Sequence, residues 1–137
     1  IPAMVQEIRT GTFDICSSLE HIRIPNSVNQ IGDHAFTRCV SMKEIELPDS
    51  VTNIGKYAFL NCRSLDSIDV PEGVTSIDEA TFCMCRSLKK AYLPESVSSI
   101  GNGAFYNCVN LIEVEIENPS CAIARDAFYG CESLEED

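Results

Sequence analysis

The chain has 137 residues, 45% of them hydrophobic, and a formal net charge of −11 at pH 7. That charge disfavours nucleic acid and anionic membrane surfaces as partners, because both require clustered lysine and arginine. No segment approaches the roughly 20 consecutive apolar residues that span a bilayer, so direct membrane insertion is not expected.

One spacing organises the whole sequence. All six phenylalanines lie three residues before cysteines that recur at intervals of 23 residues. These cysteines are Cys16, Cys39, Cys62, Cys85, Cys108 and Cys131. A fixed period of this length predicts a repeat solenoid, in which each unit buries its apolar side against its neighbours. We therefore expect one domain, residues 1–137, of about six repeats.

Each unit begins with a short strand, because its apolar and polar residues alternate. The predicted strands are Ile22–Ile24, Ile45–Leu47, Ile68–Val70, Ala91–Leu93 and Val114–Ile116. A proline follows each of the first four and ends the strand, since proline cannot donate to the next ladder bond. Parallel strands are thus expected on one face of the coil.

Two further elements complete the unit. Residues 51–55, V-T-N-I-G, are spaced for a second short extended or bent segment, and Gly32, Gly55 and Gly101 are expected to need a positive φ. The spacing A-F-x-x-C-x-x-[LM] then predicts a single helical or 3₁₀ turn that closes each coil with its apolar residues on one side.

The unit from Leu88 to Cys108 carries P-E-S-V-S-S-I-G followed by A-F and C. It resembles the BspA-like leucine-rich repeats, whose units read L-x-x-I-x-I-P-x-S-V-x-x-I-G-x-x-A-F-x-x-C-x-S. The resemblance covers the entire chain. Its clearest departures lie in the last unit, where Glu117 replaces the proline and Ser120 replaces the valine.

The resemblance implies a leucine-rich-repeat fold and a location at the cell surface or outside the cell. Proteins of this type include surface proteins of mucosal and oral bacteria and of parasitic protozoa, some of them adhesins. An extracellular-matrix or host surface protein is the partner this implies. Both ends carry ordinary repeat sequence instead of polar caps, so we expect a fragment of a longer array; the oligomeric state stays open.

The cysteines are interpreted as free, buried thiols, because an array of identical side chains has no reason to choose disulfide pairs. Zinc is disfavoured at Cys83-Met84-Cys85, which has one intervening residue and no nearby histidine. Cys83 lies outside the 23-residue column. We expect it to be nearer the surface and to react first.

No constellation for catalysis is present. His21 and His34 lie on different parts of the repeat without a recurring nucleophile and are interpreted as solvated. Nucleotide-binding and metalloprotease motifs are missing. Calcium binding by Glu46, Asp69 and Glu115 is disfavoured, since no loop gathers six oxygens. We expect no enzyme activity, no cofactor and no metal site.

A candidate protein-binding face follows from the columns of the first strand. Between the two strand hydrophobes stand Arg23, Glu46, Asp69, Tyr92 and Glu115, with Lys90 two residues before the tyrosine. A basic and aromatic spot between acidic patches is typical of protein interfaces. The alternative is a merely solvated face. The adjoining column alternates in sign and is expected to form a charge ladder: Glu20, Lys43, Asp66 and Lys89.

A secondary candidate is the pair Tyr106 and Tyr129, which share one column and either anchor a partner or pack on each other. The sequence therefore favours a non-catalytic protein-interaction module, of adhesin type by resemblance. The alternative function is a structural spacer within a larger protein whose activity lies in another domain.

Overall fold

The computed structural model describes residues 1–134 and shows a parallel β-solenoid; positions 135–137 of the predicted domain lie outside the described part. Each coil takes one 23-residue unit, as the spacing predicts. The leading segment of the unit forms a strand in some units. The V-x-x-I-G segment forms a strand in every unit.

The V-x-x-I-G segments form the most regular ladder of the molecule. Their two-residue parallel strands are β1 (Glu7–Ile8), β2 (Gln30–Ile31), β3 (Asn53–Ile54), β5 (Ser76–Ile77), β7 (Ser99–Ile100) and β9 (Ala122–Ile123). They pair as β1-β2-β3 and β5-β7-β9, always with the equivalent residue of the next unit. The expected second extended segment is thus confirmed.

The leading strands form a separate three-stranded sheet from β4 (Ser67–Asp69), β6 (Lys90–Leu93) and β8 (Glu113–Ile116), also parallel and in register. The strands predicted at 22–24 and 45–47 are absent. The ladder stops where Glu46 comes opposite Asp69, and like charges opposite each other disfavour strand pairing; the missing pair between Arg23 and Glu46 carries opposite charges and has no such explanation. A single backbone bond, from the Asp66 N–H to the Lys43 carbonyl at 2.9 Å, joins these units there.

The core is a column of rings and thiols inside the coil. Six phenylalanine rings stack with centroids 5.2–5.4 Å apart and planes 5–16° from parallel. The four inner rings, Phe36, Phe59, Phe82 and Phe105, are fully buried. The end rings, Phe13 and Phe128, are partly buried. Offset parallel rings are a favourable aromatic arrangement.

The closing segment is a run of overlapping β-turns in place of the predicted helical or 3₁₀ turn. The Cys39 N–H bonds to the Phe36 carbonyl three residues earlier, whereas the Phe36 N–H donates to the Ala58 carbonyl of the next unit at 2.8 Å. Alternate amides therefore bond within the turn and between units. This pattern requires left-handed residues, and His34 and Arg38 have φ of 58° and 61°.

The expectation of a positive φ at Gly32, Gly55 and Gly101 is wrong, since the glycines with positive φ are Gly11, Gly103 and Gly130. The three column glycines are needed because the backbone of the preceding unit comes close. A methyl carbon on Gly32 would lie 2.6 Å from the Thr10 nitrogen, and on Gly101 3.1 Å from the Glu79 nitrogen. Units stack closely on this side because the side chain is missing.

Two columns of side-chain hydrogen bonds run between units. The serine of each P-x-S-V motif donates to a carbonyl of the preceding unit, as Ser50 Oγ does to the Val28 carbonyl at 2.6 Å. Ser27 and Ser96 repeat this bond. The residue two positions after each column cysteine forms a similar one in several units: Ser41, Ser64, Asn110 and Ser133.

Candidate binding face

The exposed side of the β4-β6-β8 sheet is built by strict alternation along each strand. Ile68, Ala91 and Leu93 point into the core and are buried. The outward residues of the three strands are Ser67, Asp69, Lys90, Tyr92, Glu113 and Glu115, which we call the sheet face. Because the pairing is parallel and in register, equivalent residues lie side by side at about 4.8 Å.

Tyr92 occupies the centre of the sheet face. It pairs in register with Asp69 on one side and Glu115 on the other. Partial desolvation raises the pKa of its hydroxyl, and nearby carboxylates raise that pKa further: Glu117, Glu72, Glu115 and Asp69. The side chain is partly exposed. The register places Asp69, Tyr92 and Glu115 side by side, and their role in binding stays a prediction.

Lys90 stands opposite Glu113, and their charged groups lie 3.7 Å apart with side chains 66% and 50% exposed. It is the one ion pair within residues 1–134, so the predicted ladder of Glu20, Lys43, Asp66 and Lys89 forms no ion pair in this part of the chain. An exposed pair of this kind contributes only about 0–1 kcal/mol. The Lys90 ammonium group is paired with the Glu113 carboxylate. The residues around Tyr92 are therefore acidic rather than basic.

Arg23 and Glu46 lie beyond the edge of the sheet face, in the two units without a leading strand. Both are exposed and line a shallow groove of about 950 Å³. A second groove of about 490 Å³ connects Glu46 to Asp69 and is also lined by Glu44 and His21. Glu46 therefore continues the acidic surface that begins at Asp69.

Tyr106 and Tyr129 lie on the closing turns and stack on each other, with centroids 5.3 Å apart and planes 18° from parallel. Tyr129 remains 64% exposed. The two rings therefore pack on each other, which is one of the two interpretations drawn from the sequence. The ring of Tyr129 remains accessible.

Sequence reasoning missed a second stack on the closing turns, between His34 and Tyr57, with centroids 4.7 Å apart. His34 Nδ1 lies 3.2 Å from Thr37 Oγ1, and the Tyr57 hydroxyl donates to Glu79 at 2.8 Å. That bond is the main cause that raises the pKa of Tyr57. The signal was available, because His34 and Tyr57 are 23 residues apart.

All eight cysteines are free thiols, as expected. The four inner members of the column are buried, and Cys83 and Cys121 are half-buried. Burial raises the pKa of Cys39 to about 11 and that of Cys85 to about 12. First reaction at Cys83 stays a prediction, and the half-buried column ends, Cys16 and Cys131, are its competitors.

Metal-ligand clusters and membrane-spanning helices are both absent from the described residues. Across residues 1–134, no cluster of three or more histidine, cysteine or acidic side chains is arranged to hold a metal ion. In the same part of the chain, no helix has the length and hydrophobicity to cross a membrane.

Comparison with known families identifies the repeat. The BspA type leucine rich repeat region matches residues 6–135 in 6 copies. The chain belongs to this family. The leucine-rich-repeat resemblance is thereby confirmed over nearly the whole sequence, including the irregular last unit with Glu117 and Ser120.

Solved bacterial leucine-rich repeat structures have the same coil. A T. pallidum leucine-rich repeat protein is 32% identical with a TM-score of 0.95, and the match covers 98% of this chain and 63% of that protein. One from Bacteroides ovatus is 35% identical with a TM-score of 0.81, covering 84% of this chain and 30% of that one.

A leucine rich cell surface protein from Faecalibacterium prausnitzii is 23% identical with a TM-score of 0.63, over 98% of this chain and 57% of that one, a likeness of fold alone. The chain thus spans 30–63% of the length of these three structures. Curated protein sequences gave no significant match.

Proposed function

We propose that this chain is a non-catalytic protein-interaction module that binds its partner through the sheet face. One observation carries the proposal: Tyr92 is the sole aromatic among the outward residues of β4, β6 and β8, and it stands partly exposed on a parallel, in-register sheet. Binding energy concentrates on a few aromatic or arginine anchors surrounded by polar residues. Asp69, Lys90 and Glu115 supply that polar surround.

We further propose an adhesin-type role at the cell surface, with an extracellular-matrix or host surface protein as the partner. The support is the family membership and one neighbour described as a cell surface protein. A repeat solenoid presents an extended surface of fixed geometry, which suits the recognition of large protein partners.

Surface plasmon resonance against immobilised extracellular-matrix proteins tests the proposal. We expect Tyr92→Ala to weaken binding by about 1–3 kcal/mol, while the urea midpoint stays nearly unchanged. Glu46→Lys is expected to change chiefly the association rate and its salt dependence, because the residue lies at the rim.

Tyr129→Ala is the matched control, since it also removes an exposed tyrosine but from the closing turns. Loss of binding in Tyr129→Ala with unchanged binding in Tyr92→Ala would move the site to the closing turns. If no matrix protein binds, the adhesin role fails, whatever the behaviour of the variants.

A spacer role is the second candidate, favoured by the hydrogen-bond columns that tie most units to the preceding one. Ser50 and Ser64 each bond to the preceding unit at 2.6 Å, which suits a stiff rod. In a spacer, removal of one 23-residue unit changes the activity of the longer protein through its reach, and Tyr92→Ala has no effect.

A further inference from the structure

The groups around Tyr92 come from both sides of its strand and share one sign. Asp69 on β4 and Glu115 on β8 pair with it in register. Glu117 is held next to β6 by a bond from its N–H to the Leu93 carbonyl at 3.0 Å. All of these carboxylates are exposed. The ring therefore has an acidic rim on both sides of its strand.

The basic residue on the same strand, Lys90, does not neutralise this acidic rim. Lys90 lies on the same strand and the same side as Tyr92, but its ammonium group faces Glu113 at 3.7 Å. The groove lined by Glu44, Glu46 and Asp69 extends the acidic surface toward the first units. From Tyr92 along this groove, the carboxylates would repel an anionic segment of a partner. The same carboxylates would attract a cationic segment.

An aromatic ring with carboxylates beside it suits one kind of side chain. A guanidinium or ammonium group over the ring is attracted by its negative face. Arginine can at the same time donate two parallel hydrogen bonds to a carboxylate. Neither feature offers anything to an acidic segment, and a purely apolar one would leave Asp69 and Glu115 desolvated without a partner.

Building on the proposed function, we infer that the partner of the sheet face is a basic, extended protein segment. One arginine or lysine of this segment lies on the Tyr92 ring between Asp69 and Glu115. Further basic side chains follow the acidic groove toward Glu46.

The test uses the full chain and a fluorescent synthetic peptide that alternates arginine with serine. A peptide that alternates glutamate with serine serves as its negative control. Fluorescence anisotropy is measured over a range of salt concentrations. We expect the arginine peptide alone to bind, and Tyr92→Ala to weaken it about 2- to 5-fold, which is the effect of an exposed cation–π contact.

Two comparisons separate a site from general charge attraction. Tyr92→Ala leaves the net charge unchanged, so a non-specific acidic surface would bind the peptide as before. Glu115→Gln and Glu7→Gln remove the same charge, but Glu7 lies exposed on β1, in the separate β1-β2-β3 sheet. We expect Glu115→Gln to weaken binding more than Glu7→Gln. Tyr92→Leu keeps an apolar side chain on the strand and replaces Tyr92→Ala if the latter does not fold.

Equal binding by wild type and both Tyr92 variants would overturn the inference, as would equal effects of Glu115→Gln and Glu7→Gln or no peptide binding. The proposed function is judged separately. If a matrix protein binds through Tyr92 but is neither salt-sensitive nor displaced by the arginine peptide, the interaction module stands and the basic partner is wrong. If the peptide binds at Tyr92 and no matrix protein does, the adhesin role fails alone.

Discussion

The thiol of Cys85 donates a hydrogen bond to the carbonyl of Phe59 in the preceding unit, with 3.2 Å between sulfur and oxygen. The same bond recurs along the column at 3.0–3.2 Å, for Cys39, Cys62, Cys108 and Cys131. The sequence interpretation of these residues as free, buried thiols is therefore incomplete. Each cysteine fills the core and also ties its unit to the one before.

Replacing Cys85 with serine or with alanine tests this bond. The two substitutes have similar volumes, but only serine keeps a donor for the Phe59 carbonyl, which also accepts from the Cys62 N–H at 3.2 Å. We expect Cys85→Ala to be less stable than Cys85→Ser by about 1 kcal/mol, measured as the difference in urea midpoints at constant m. Equal midpoints would mean that the thiol acts through packing alone.

Stability should fall in alkaline solution. Burial raises the pKa of the Cys85 thiol from its ordinary value of 9.0 to about 12, so above pH 9 the unfolded chain loses a proton that the folded chain keeps. This thiol's contribution is complete below pH 9 and declines from there up to about pH 12, by at most about 1.4 kcal/mol per pH unit. Urea midpoints between pH 7 and 11 measure the decline.

The matched control for this pH dependence is Cys85→Ser, whose hydroxyl does not titrate in that range. Its stability should decline less steeply above pH 9 than that of the wild type. Parallel curves for the two proteins would show that other groups cause the alkaline loss.

Removal of a central ring should cost more than removal of a terminal one. Phe59 is fully buried and stacks on both Phe36 and Phe82, whereas Phe128 is partly buried and stacks on Phe105. We expect Phe59→Ala to cost about 3–5 kcal/mol and Phe128→Ala clearly less, by urea unfolding. Equal losses would contradict the nearest-neighbour description of the stack.

The column glycines supply a test of close approach between units. A methyl carbon on Gly55 would lie 2.6 Å from the carbonyl carbon of Gly32, which is backbone and cannot move aside locally. A methyl on Gly73 would meet the side-chain methyl of Thr52 at 3.1 Å. We expect Gly55→Ala to cost about 1–3 kcal/mol and Gly73→Ala less. The reverse order in thermal or urea unfolding would rule out the close approach as the reason for glycine.

Much of the fold could be predicted from the sequence, because each unit repeats without insertion. The spacing of Phe36 and Cys39 to their equivalents predicts the stack, and alternation at 91–93 and 114–116 predicts strands. A period fixes which residues become neighbours in a stack. The core and the identity of the sheet face therefore follow from one unit.

The remaining features depend on how each unit is shifted relative to the unit before it. The repeat spacing alone does not reveal this shift. The Cys85 thiol bonds to Phe59 and not to its own Phe82, which depends on how far each coil advances. Gly55 needs no positive φ because its constraint is the Gly32 backbone beside it. The ladder stops between Glu46 and Asp69, where pairing would bring like charges together, and it is also missing between Arg23 and Glu46, although all of these segments alternate.

Binding through the sheet face is tested most directly by radical footprinting of a complex with any matrix protein that binds in the assay above. Tyr92 and Tyr129 report on the sheet face and on the closing turns within one molecule, and both rings are at least partly exposed in the free chain. We predict that oxidation of Tyr92 falls on binding while that of Tyr129 is unchanged. Protection of Tyr129 with unchanged oxidation of Tyr92 would contradict binding through the sheet face.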